Sequence, residues 1–290
     1  MVGSDQSFLT ARAGWSPQVK VSVVTPSYNQ GAFIERTIQS VLAQEGDFEL
    51  EYIVVDGGST DDTVKILRRY GDRLKYTSER DRGQVDAINK GFAAATGEVV
   101  AWLNSDDLYL PGSLDAVVRA MRDGARWCFG QCRIIDESDR PIRAGIRWYK
   151  NRISSWYSLR ALLVMDFIPQ PATFFRRDLL EEVGPLDSAY KLAMDYELWL
   201  RFARRAEPVF LPLDLAAFRW HDTSKSSSGY ARAAREALAA ARRHALPSER
   251  GALLLHRLHV LTLVAGYRLL DLLPKASRPT VRPGSKGSSP

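Results

Sequence analysis

The sequence predicts an α/β fold with a mostly parallel central sheet and helices on both faces. Apolar, strand-like runs alternate with helical patterns over the first hundred residues, which is typical of βαβ units. The run at residues 99–103 is apolar throughout, as expected for a strand buried on both faces of a parallel sheet. Polar loops follow these runs, and in such a sheet the loops after the strands meet at one edge.

Each element of the first half has its own signal. The strands are β-branched runs, and Pro26 breaks the first while Gly57 and Gly58 form the turn after the second. The helices show apolar residues at helical spacing, and Asp61 and Asp62 suit the first turn of one of them. In order, the elements are strand 19–25, helix 33–42, strand 51–56, a helix after 61–62, strand 74–77, helix 85–95 and strand 98–104.

The second half continues with a larger insertion. Residues 147–168 are aromatic and basic, and we interpret them as a lobe added to the sheet. Its aromatic cluster, residues 148–157, is either plain core or a platform that stacks on an acceptor sugar. The remaining elements are a helix after Pro111 to about Arg122, strands at 127–135 and 172–175, helix 194–205 and a strand-like run at 215–218.

The C-terminal part differs in composition. Residues 230–245 form an Ala/Arg-rich helical pattern, and residues 251–273 form a strongly apolar one that charged residues interrupt. The second helix either packs on the sheet domain, which we favour slightly, or lies on a membrane with its basic residues near the headgroups. We expect residues 1–18 to be flexible and residues 274–290 to be a disordered tail.

Composition excludes several classes of protein. The net charge of +6, from 40 basic and 34 acidic residues, suits anionic substrates or an anionic membrane but is too diffuse for nucleic acid. Cys128 and Cys132 are the two cysteines, and two reduced thiols are the favoured interpretation. No stretch reaches the roughly 18 apolar residues of a spanning helix, and no signal peptide is evident, so we expect a cytoplasmic protein.

Two adjacent carboxylates, Asp106 and Asp107, come just after the most apolar strand. Neighbouring anions repel each other unless a positive group joins them, and hard divalent cations prefer carboxylate oxygens. The alternative is a capping role for the helix that begins near Pro111. The loops expected at the same edge are 25–29, 56–60, 81–84 and 104–107, and Asp56 there could accept from a base or simply shape a turn.

Five motifs in order resemble family 2 glycosyltransferases of the GT-A fold, over roughly residues 19–222. They are Val-Ser-Val-Val-Thr-Pro-Ser-Tyr-Asn (21–29), Glu-Tyr-Ile-Val-Val-Asp-Gly-Gly-Ser-Thr-Asp-Asp-Thr (51–63), Asp-Arg-Gly-Gln-Val-Asp-Ala-Ile-Asn-Lys-Gly (81–91), Trp-Leu-Asn-Ser-Asp-Asp (102–107) and Met-Asp-Tyr-Glu-Leu-Trp-Leu-Arg (194–201). The resemblance implies a Rossmann-like GT-A catalytic domain at 19–228. Residues 19–107 would bind the nucleotide-sugar, 108–228 the acceptor, and 229–273 would be a helical extension.

The resemblance also implies site residues. Those expected to bind the nucleotide-sugar are Thr25, Pro26, Tyr28, Asn29, Asp56, Gly57, Ser59, Gly83, Asp86, Asn89, Asn104, Ser105 and Asp106. Those expected to bind a divalent metal, Mg²⁺ or Mn²⁺, are Asp106, Asp107 and His221, with Ser224 and Ser226 in a loop that closes over the donor. Asn104 stands where the family's metal motif begins with Asp.

Asp195 matches the family's catalytic base, although Met194 replaces the Glu that usually precedes it. Inverting transfer needs one base for the acceptor hydroxyl, and a metal can neutralise the leaving diphosphate, so one carboxylate suffices. Glycoside hydrolases need two. The alternative for Asp195 is an ordinary acidic residue in the first turn of a helix, where the helix dipole favours its ionised form.

The function implied is inverting transfer of a sugar from a nucleotide-diphosphate-sugar to a glycan or lipid-linked glycan, as in cell-envelope polysaccharide synthesis. The rivals are a sugar-phosphate nucleotidyltransferase and a non-catalytic nucleotide-sugar-binding protein. The first rival lacks its basic glycine-rich loop, because residues 25–30 contain no Lys or Arg. No nucleic-acid partner is expected. Residues 251–273 could contact the inner face of the plasma membrane peripherally, and the sequence does not assign an oligomeric state.

Overall fold

The computed structural model describes Trp15 and residues 18–221 and 229–272. Within them, eight strands form one sheet: β1 (Val19–Ser27), β2 (Phe48–Asp56), β3 (Lys75–Ser78), β4 (Val99–Trp102), β5 (Leu108–Tyr109), β6 (Trp127–Ile135), β7 (Thr173–Arg176) and β8 (Val209–Arg219). The helices are α1 (Ile34–Leu42), α2 (Thr63–Arg68), α3 (Gln84–Ala94), α4 (Ser113–Arg122), α5 (Ala144–Ser154), α6 (Leu159–Val164), α7 (Arg177–Val183), α8 (Met194–Ala203), α9 (Tyr230–His244) and α10 (Arg250–Leu272). The expectations for residues 1–18, apart from Trp15 and Gln18, for residues 274–290, and for Ser224 and Ser226 fall outside these described parts.

The strand order is β3-β2-β1-β4-β7-β6-β8-β5. The first four strands are parallel, and Val23 lies between Tyr52 of β2 and Ala101 of β4 in their registers. β7 then inserts antiparallel between β4 and β6, and β6 pairs in parallel with β8. The predicted α/β fold with a mostly parallel sheet is therefore confirmed.

Two apolar cores cover the two faces of the sheet. Successive residues of β4 alternate between them, so Val99 and Ala101 join one core while Val100 and Trp102 join the other. The second core holds an aromatic stack in which the Trp199 ring lies 5.4 Å from Trp102 and 6.0 Å from Trp127, centroid to centroid. Because Trp199 belongs to α8, this stack fixes that helix against the sheet and so fixes its first turn at the sheet edge.

Most predicted elements appear within a few residues of their expected ends, but the second half departs in four places. The aromatic and basic lobe folds as α5 and α6, β8 begins at Val209 rather than 215, and neither β5 nor α7 was expected. β8 contains a proline, and its register with β6 shifts on both sides of Gln131. This irregular strand lacks the regular alternation of apolar and polar residues from which strands are predicted.

The two C-terminal helices pack on the sheet domain. The Glu236 side chain on α9 accepts from the backbone N–H groups of Leu192 and Ala193 at 2.7 and 3.3 Å, just before α8. The His256 ring on α10 is 2% exposed, and its Nδ1 lies 2.8 Å from the carbonyl oxygen of Leu163. Over its described side chains, α10 thus packs on the sheet domain, while Leu254, Leu255, Leu258 and Leu261 stay exposed. No helix in the described residues is long and apolar enough to span a bilayer.

Glu51 on β2 is buried and ties the sheet together at the end opposite the polar loops. Its carboxylate accepts from Ser22 Oγ at 2.6 Å, Thr96 N at 2.8 Å and Lys75 Nζ at 2.9 Å. Burial alone would raise the pKa of Glu51, but these hydrogen bonds outweigh it and lower the pKa to about 2. The ionised form is therefore the one that stabilises the fold.

We expect Glu51→Gln to lower the free energy of unfolding at pH 7 by about 3 kcal/mol, since one pKa unit corresponds to about 1.4 kcal/mol. The depressed pKa means that this stabilisation is present above the unfolded-state pKa and is lost as pH falls from about 4 toward 2. Urea unfolding at pH 7 and pH 3 measures it. Glu49→Gln, on the same strand but exposed, is the matched control, and an equal loss in both variants would contradict the assignment.

Candidate active site

A cleft of about 950 Å³ opens at the edge of the sheet where β1, β2 and β4 end. One part of its wall comes from the loops that follow these strands, and the other from α5, residues 166–171 and the first turn of α8. Clefts of this size at the carboxyl edge of parallel strands are the usual ligand sites of α/β folds. The four loops singled out in the sequence all lie at this edge.

A shelf of glycines and the Tyr28 ring form the part of the wall nearest β1 and β2. Pro26, Tyr28, Gly57 and Gly83 all line the cleft, as their motifs implied. A Cβ atom added to Gly57 would lie 2.7 Å from Asp81 Oδ2, so a larger residue there would have to displace the Asp81 carboxylate. Tyr28 is 60% exposed and leaves a ring face for a flat ligand.

Asp56 lies behind this wall rather than in it, which corrects the expectation that its carboxylate faces a base. The side chain is fully buried, and Oδ2 accepts from Gly58 N at 3.1 Å, Ser59 N at 2.8 Å and Ser78 Oγ at 2.7 Å. These contacts shape the glycine turn. In this part of the wall Asp81 is the carboxylate that lines the cleft, with Oδ1 accepting from Gly83 N at 2.7 Å.

Thr25, Asn29 and Ser59 also support the wall without lining it. Thr25 is fully buried, and its Oγ1 accepts from the Tyr52 hydroxyl at 3.1 Å. Asn29, at φ 52°, joins the first two loops: its N–H donates to Ser59 Oγ at 2.7 Å and its Oδ1 accepts from Thr60 N at 2.8 Å. These three side chains hold the loops in place.

Asp86 and Asn89 on α3 likewise have protein partners instead of the expected place beside a ligand. Asp86 Oδ1 accepts from Arg82 at 2.7 Å, an ion pair that closes the loop before α3. Asn89 Nδ2 donates to the carbonyl oxygen of Leu186 at 2.9 Å, and Asn89 Oδ1 accepts from the Leu186 N–H at 3.0 Å. Neither side chain lines the cleft, because both point toward neighbouring loops.

Asp106 and His221 meet at the end of β4 and β8. The Asp106 Oδ2 atom lies 2.9 Å from His221 Nε2, and both residues line the cleft together with Asn104 and Ser105. The Asn104 amide bridges neighbours: its Oδ1 accepts from Gln84 at 2.8 Å and its Nδ2 donates to Gln170 at 3.0 Å. This end of the cleft therefore presents one carboxylate beside one imidazole.

Asp107 does not join Asp106 in the cleft, contrary to its expected role as a metal ligand. Its side chain is fully buried, Oδ1 accepts from the Arg219 backbone N–H at 2.9 Å, and Oδ2 accepts from Asn104 Nδ2 at 3.2 Å. Burial and the neighbouring charge of Asp106 raise the pKa of Asp107 well above its usual range. Asp107 thus fastens the loop after β4 to the end of β8.

The donor atoms at this end fit a divalent metal that is bound together with a diphosphate. Among the described side chains, no three His, Cys, Asp or Glu groups come together as a complete metal cluster. Asp106 and His221 offer two ligands, and ions such as Mg²⁺ typically take one or two carboxylates and complete their shell with phosphate oxygens and water.

Asp195 lies in the first turn of α8 and lines the cleft on the other part of its wall. Burial raises the pKa of Asp195, although the Tyr196 N–H, which donates to Oδ1 at 2.9 Å, opposes the shift. A raised pKa makes a carboxylate a better proton acceptor near neutral pH. The geometry is that of an oriented, partly desolvated base at the edge of a cavity.

The sequence-based reasoning missed Asp166 and Lys150, which line the cleft near Asp195. Burial, reinforced by the charge of Asp195, raises the pKa of Asp166 to about 8, and Oδ1 is buried with no hydrogen-bond partner among the residues that the structure describes. Lys150 lowers the pKa of both carboxyl groups. The sequence did contain a signal for Asp166, because it is the one acidic residue in the apolar run 161–168. An ionisable group in such a run is costly to bury and therefore indicates a special role.

Sequence comparison assigns the family. The profile described as glycosyl transferase family 2 matches residues 22–184. An uncharacterized glycosyltransferase of Mycobacterium tuberculosis is 34% identical over 207 residues, which cover 68% of this chain and 74% of the relative. One from Nostoc is 34% identical over 176 residues, covering 58% of this chain and 54% of the relative.

Structural comparison agrees on the fold. The S. aureus protein TarS (residues 1–349, in complex with UDP-GlcNAc) superposes with a TM-score of 0.61 at 21% identity, covering 81% of this chain and 70% of TarS. The mannosyltransferase PcManGT of Pyrobaculum calidifontis, in complex with GDP-Man and Mn²⁺, gives 0.62 at 19% identity, covering 91% and 85%. The chain belongs to glycosyl transferase family 2 and is a glycosyltransferase with the GT-A fold.

Proposed function

We propose that the cleft transfers a sugar, with inversion, from a nucleotide-diphosphate-sugar to a hydroxyl group of a glycan or lipid-linked glycan. The observation that carries this proposal is the composition of the wall. One cleft combines a glycine shelf beside Tyr28, the Asp106–His221 pair and the partly buried base Asp195. These match the three needs of the reaction: a site for a flat base, a site for a diphosphate and a proton acceptor.

The donor would lie with its base against the glycine shelf. The Tyr28 ring can stack on the base, and Asp81 can accept a hydrogen bond from a ring N–H group. The diphosphate would then extend toward Asp106 and His221, which would hold a divalent metal. When bound, that metal neutralises the charge that develops on the leaving diphosphate.

Asp195 would accept the proton of the acceptor hydroxyl while the hydroxyl oxygen bonds to the anomeric carbon of the donor sugar. The bond from that carbon to the diphosphate oxygen breaks on the opposite side, so the configuration inverts. The Tyr196 N–H holds the Asp195 carboxylate in one orientation, and burial raises the affinity of this carboxylate for the proton. Transfer then needs no second catalytic acid.

Asp166 would keep a proton at neutral pH and so leave Asp195 as the ionised member of the pair. Two carboxylates that are close together do not readily ionise at once, and burial assigns the higher pKa, about 8, to Asp166. Above that pH a second negative charge would face the base and the anionic donor. We therefore expect activity to decline as pH rises through about 8.

In Asp166→Asn this alkaline decline should disappear, while kcat/KM at pH 7 stays within about threefold of wild type, because the amide mimics the neutral carboxyl group.

The pH dependence of folding stability gives a second readout of the Asp166 proton. Between about pH 4 and pH 8 the folded wild type holds a proton on Asp166 that the unfolded chain has lost. This group therefore makes stability fall with rising pH, and the variant should lack its contribution to the slope. Asp178→Asn, on an exposed residue, is the control, and an unchanged alkaline limb would contradict the role.

A panel of nucleotide-sugars with Mn²⁺ tests the proposed function. TarS and PcManGT are described with UDP-GlcNAc and GDP-Man, so these donors come first. We expect release of the nucleoside diphosphate from one donor. Formation of pyrophosphate from a nucleoside triphosphate and a sugar phosphate would instead indicate a nucleotidyltransferase, and donor binding without release would indicate a binding protein.

A further inference from the structure

Helix α5 has two distinct faces. Arg147, Lys150 and Ser154 line the cleft. The neighbouring face carries large side chains in solvent: Trp148 is 69% exposed and Tyr149 50%, and Trp156, just past the helix, is 71% exposed. Trp148, Arg152 and Trp156 follow one another at four-residue spacing, so they form a continuous stripe on one side. We call Trp148, Tyr149, Arg152 and Trp156 the α5 stripe.

The segment around the stripe is strongly basic. Between Asp139 and Asp166 the chain contains no acidic residue but six basic ones: Arg140, Arg143, Arg147, Lys150, Arg152 and Arg160. Acids from elsewhere offset part of this charge, as when Asp214 pairs with Arg147 at 2.7 Å. Arg152 instead lies over the Trp156 ring, 4.4 Å from its centroid, and is exposed. The stripe thus presents aromatic rings and positive charge together.

We propose that the α5 stripe docks the protein on an anionic lipid bilayer. Exposed Trp and Tyr side chains favour the headgroup region, where the ring is buried and its polar edge stays wet. Basic residues add attraction to anionic headgroups, and a helix that carries both lies in the interface. A soluble polyanion would use the charge but not the rings, and a second copy of this chain would bring like charges together.

The docking places the cleft next to the bilayer. Because the same helix lines the cleft, a lipid-linked acceptor would have to pass only about one helix diameter, roughly 10 Å, to reach it. This consequence for the acceptor rests on the proposed function, whereas the docking itself does not.

Co-sedimentation of the full chain with vesicles tests the proposal. We expect binding to phosphatidylcholine vesicles that contain 30% phosphatidylglycerol, weak binding to pure phosphatidylcholine, and weaker binding at high salt. The double variant Trp148→Ala/Trp156→Ala should bind at least tenfold more weakly. Tyr76→Ala/Val209→Ala, which removes exposed apolar side chains from β3 and β8, should bind as wild type does. Circular dichroism confirms that each variant is folded.

Three results would overturn the proposal. The first is equal vesicle binding by wild type and the tryptophan variant. The second is loss of binding only in Leu255→Gln/Leu258→Gln, which would move the contact to the exposed leucines of α10. The third is a self-associated form without vesicles that the tryptophan variant loses, which would identify a second copy as the partner.

Donor turnover without vesicles separates this proposal from the proposed function. Neither Trp148 nor Trp156 lines the cleft, so the tryptophan variant should release nucleoside diphosphate from the donor at the wild-type rate. A wild-type chain that binds vesicles but turns over no donor would contradict the proposed function and leave the docking supported. A chain that turns over donor but does not bind vesicles would contradict the docking and leave the proposed function supported.

Discussion

Asp195→Asn is expected to abolish sugar transfer while donor binding survives. The amide keeps the size of the carboxylate and can still accept from the Tyr196 N–H, but it cannot take the proton of the acceptor hydroxyl. General bases contribute about 10²–10⁴ to the rate, so we expect kcat to fall by about 10³. The dissociation constant for the donor, measured calorimetrically with Mn²⁺, should change by less than about threefold, because the base acts on the acceptor.

The matched control for this variant is Asp62→Asn, because Asp62 also lies at the start of a helix but is exposed and outside the cleft. It should be fully active. Turnover near the wild-type rate in Asp195→Asn would reject the assignment of the base. A parallel loss of donor affinity would instead show that Asp195 supports the donor site.

Replacing each of the two adjacent carboxylates in turn should give opposite results. Asp106→Ala removes the carboxylate that faces His221 in the cleft, so metal-supported donor affinity and turnover should fall on the order of 100-fold, with stability near wild type. Asp107→Ala leaves the Arg219 N–H and the Asn104 amide without their acceptor. It should lower stability by about 1–3 kcal/mol for each unpaired group.

Mn²⁺ titration followed by electron paramagnetic resonance, with UDP and with GDP present, separates the two effects, and urea unfolding measures stability. At temperatures where Asp107→Ala remains folded, its Mn²⁺ affinity should match that of wild type. Loss of Mn²⁺ binding in Asp107→Ala but not in Asp106→Ala would reverse the assignment and restore the ligand role that the sequence alone suggested.

The first half of the fold was predictable because its strands end in motifs with a clear signal. Apolar runs located β1, β2 and β4, and the polar loops after them meet at the cleft as the rules for parallel sheets require. The position of Asp195 at the cleft followed from the family motif at 194–201, and the structure places that motif at the start of α8.

Side-chain direction was not predictable in the same way. Asp56 ends β2 and Asp107 lies in the loop after β4, both at the expected edge, but backbone N–H groups bind their oxygens and turn them inward. Asp166 comes from a segment with no recognised motif, and tertiary packing brings it to the cleft near Asp195. Local patterns locate a residue along the chain, whereas the direction of its side chain depends on all of its hydrogen-bond donors. Some of these donors are distant in sequence, such as the Ser78 hydroxyl for Asp56 and the Arg219 N–H for Asp107.

Product analysis of the wild-type reaction tests the central claim most directly. A donor from the panel that supports turnover is incubated with Mn²⁺ and an acceptor, ³¹P NMR identifies the phosphate product, and ¹H NMR reads the anomeric configuration of the transferred sugar. We expect a nucleoside diphosphate and a sugar of inverted configuration, as a single displacement with Asp195 as the base requires. A retained configuration, or pyrophosphate in place of the nucleoside diphosphate, would contradict it.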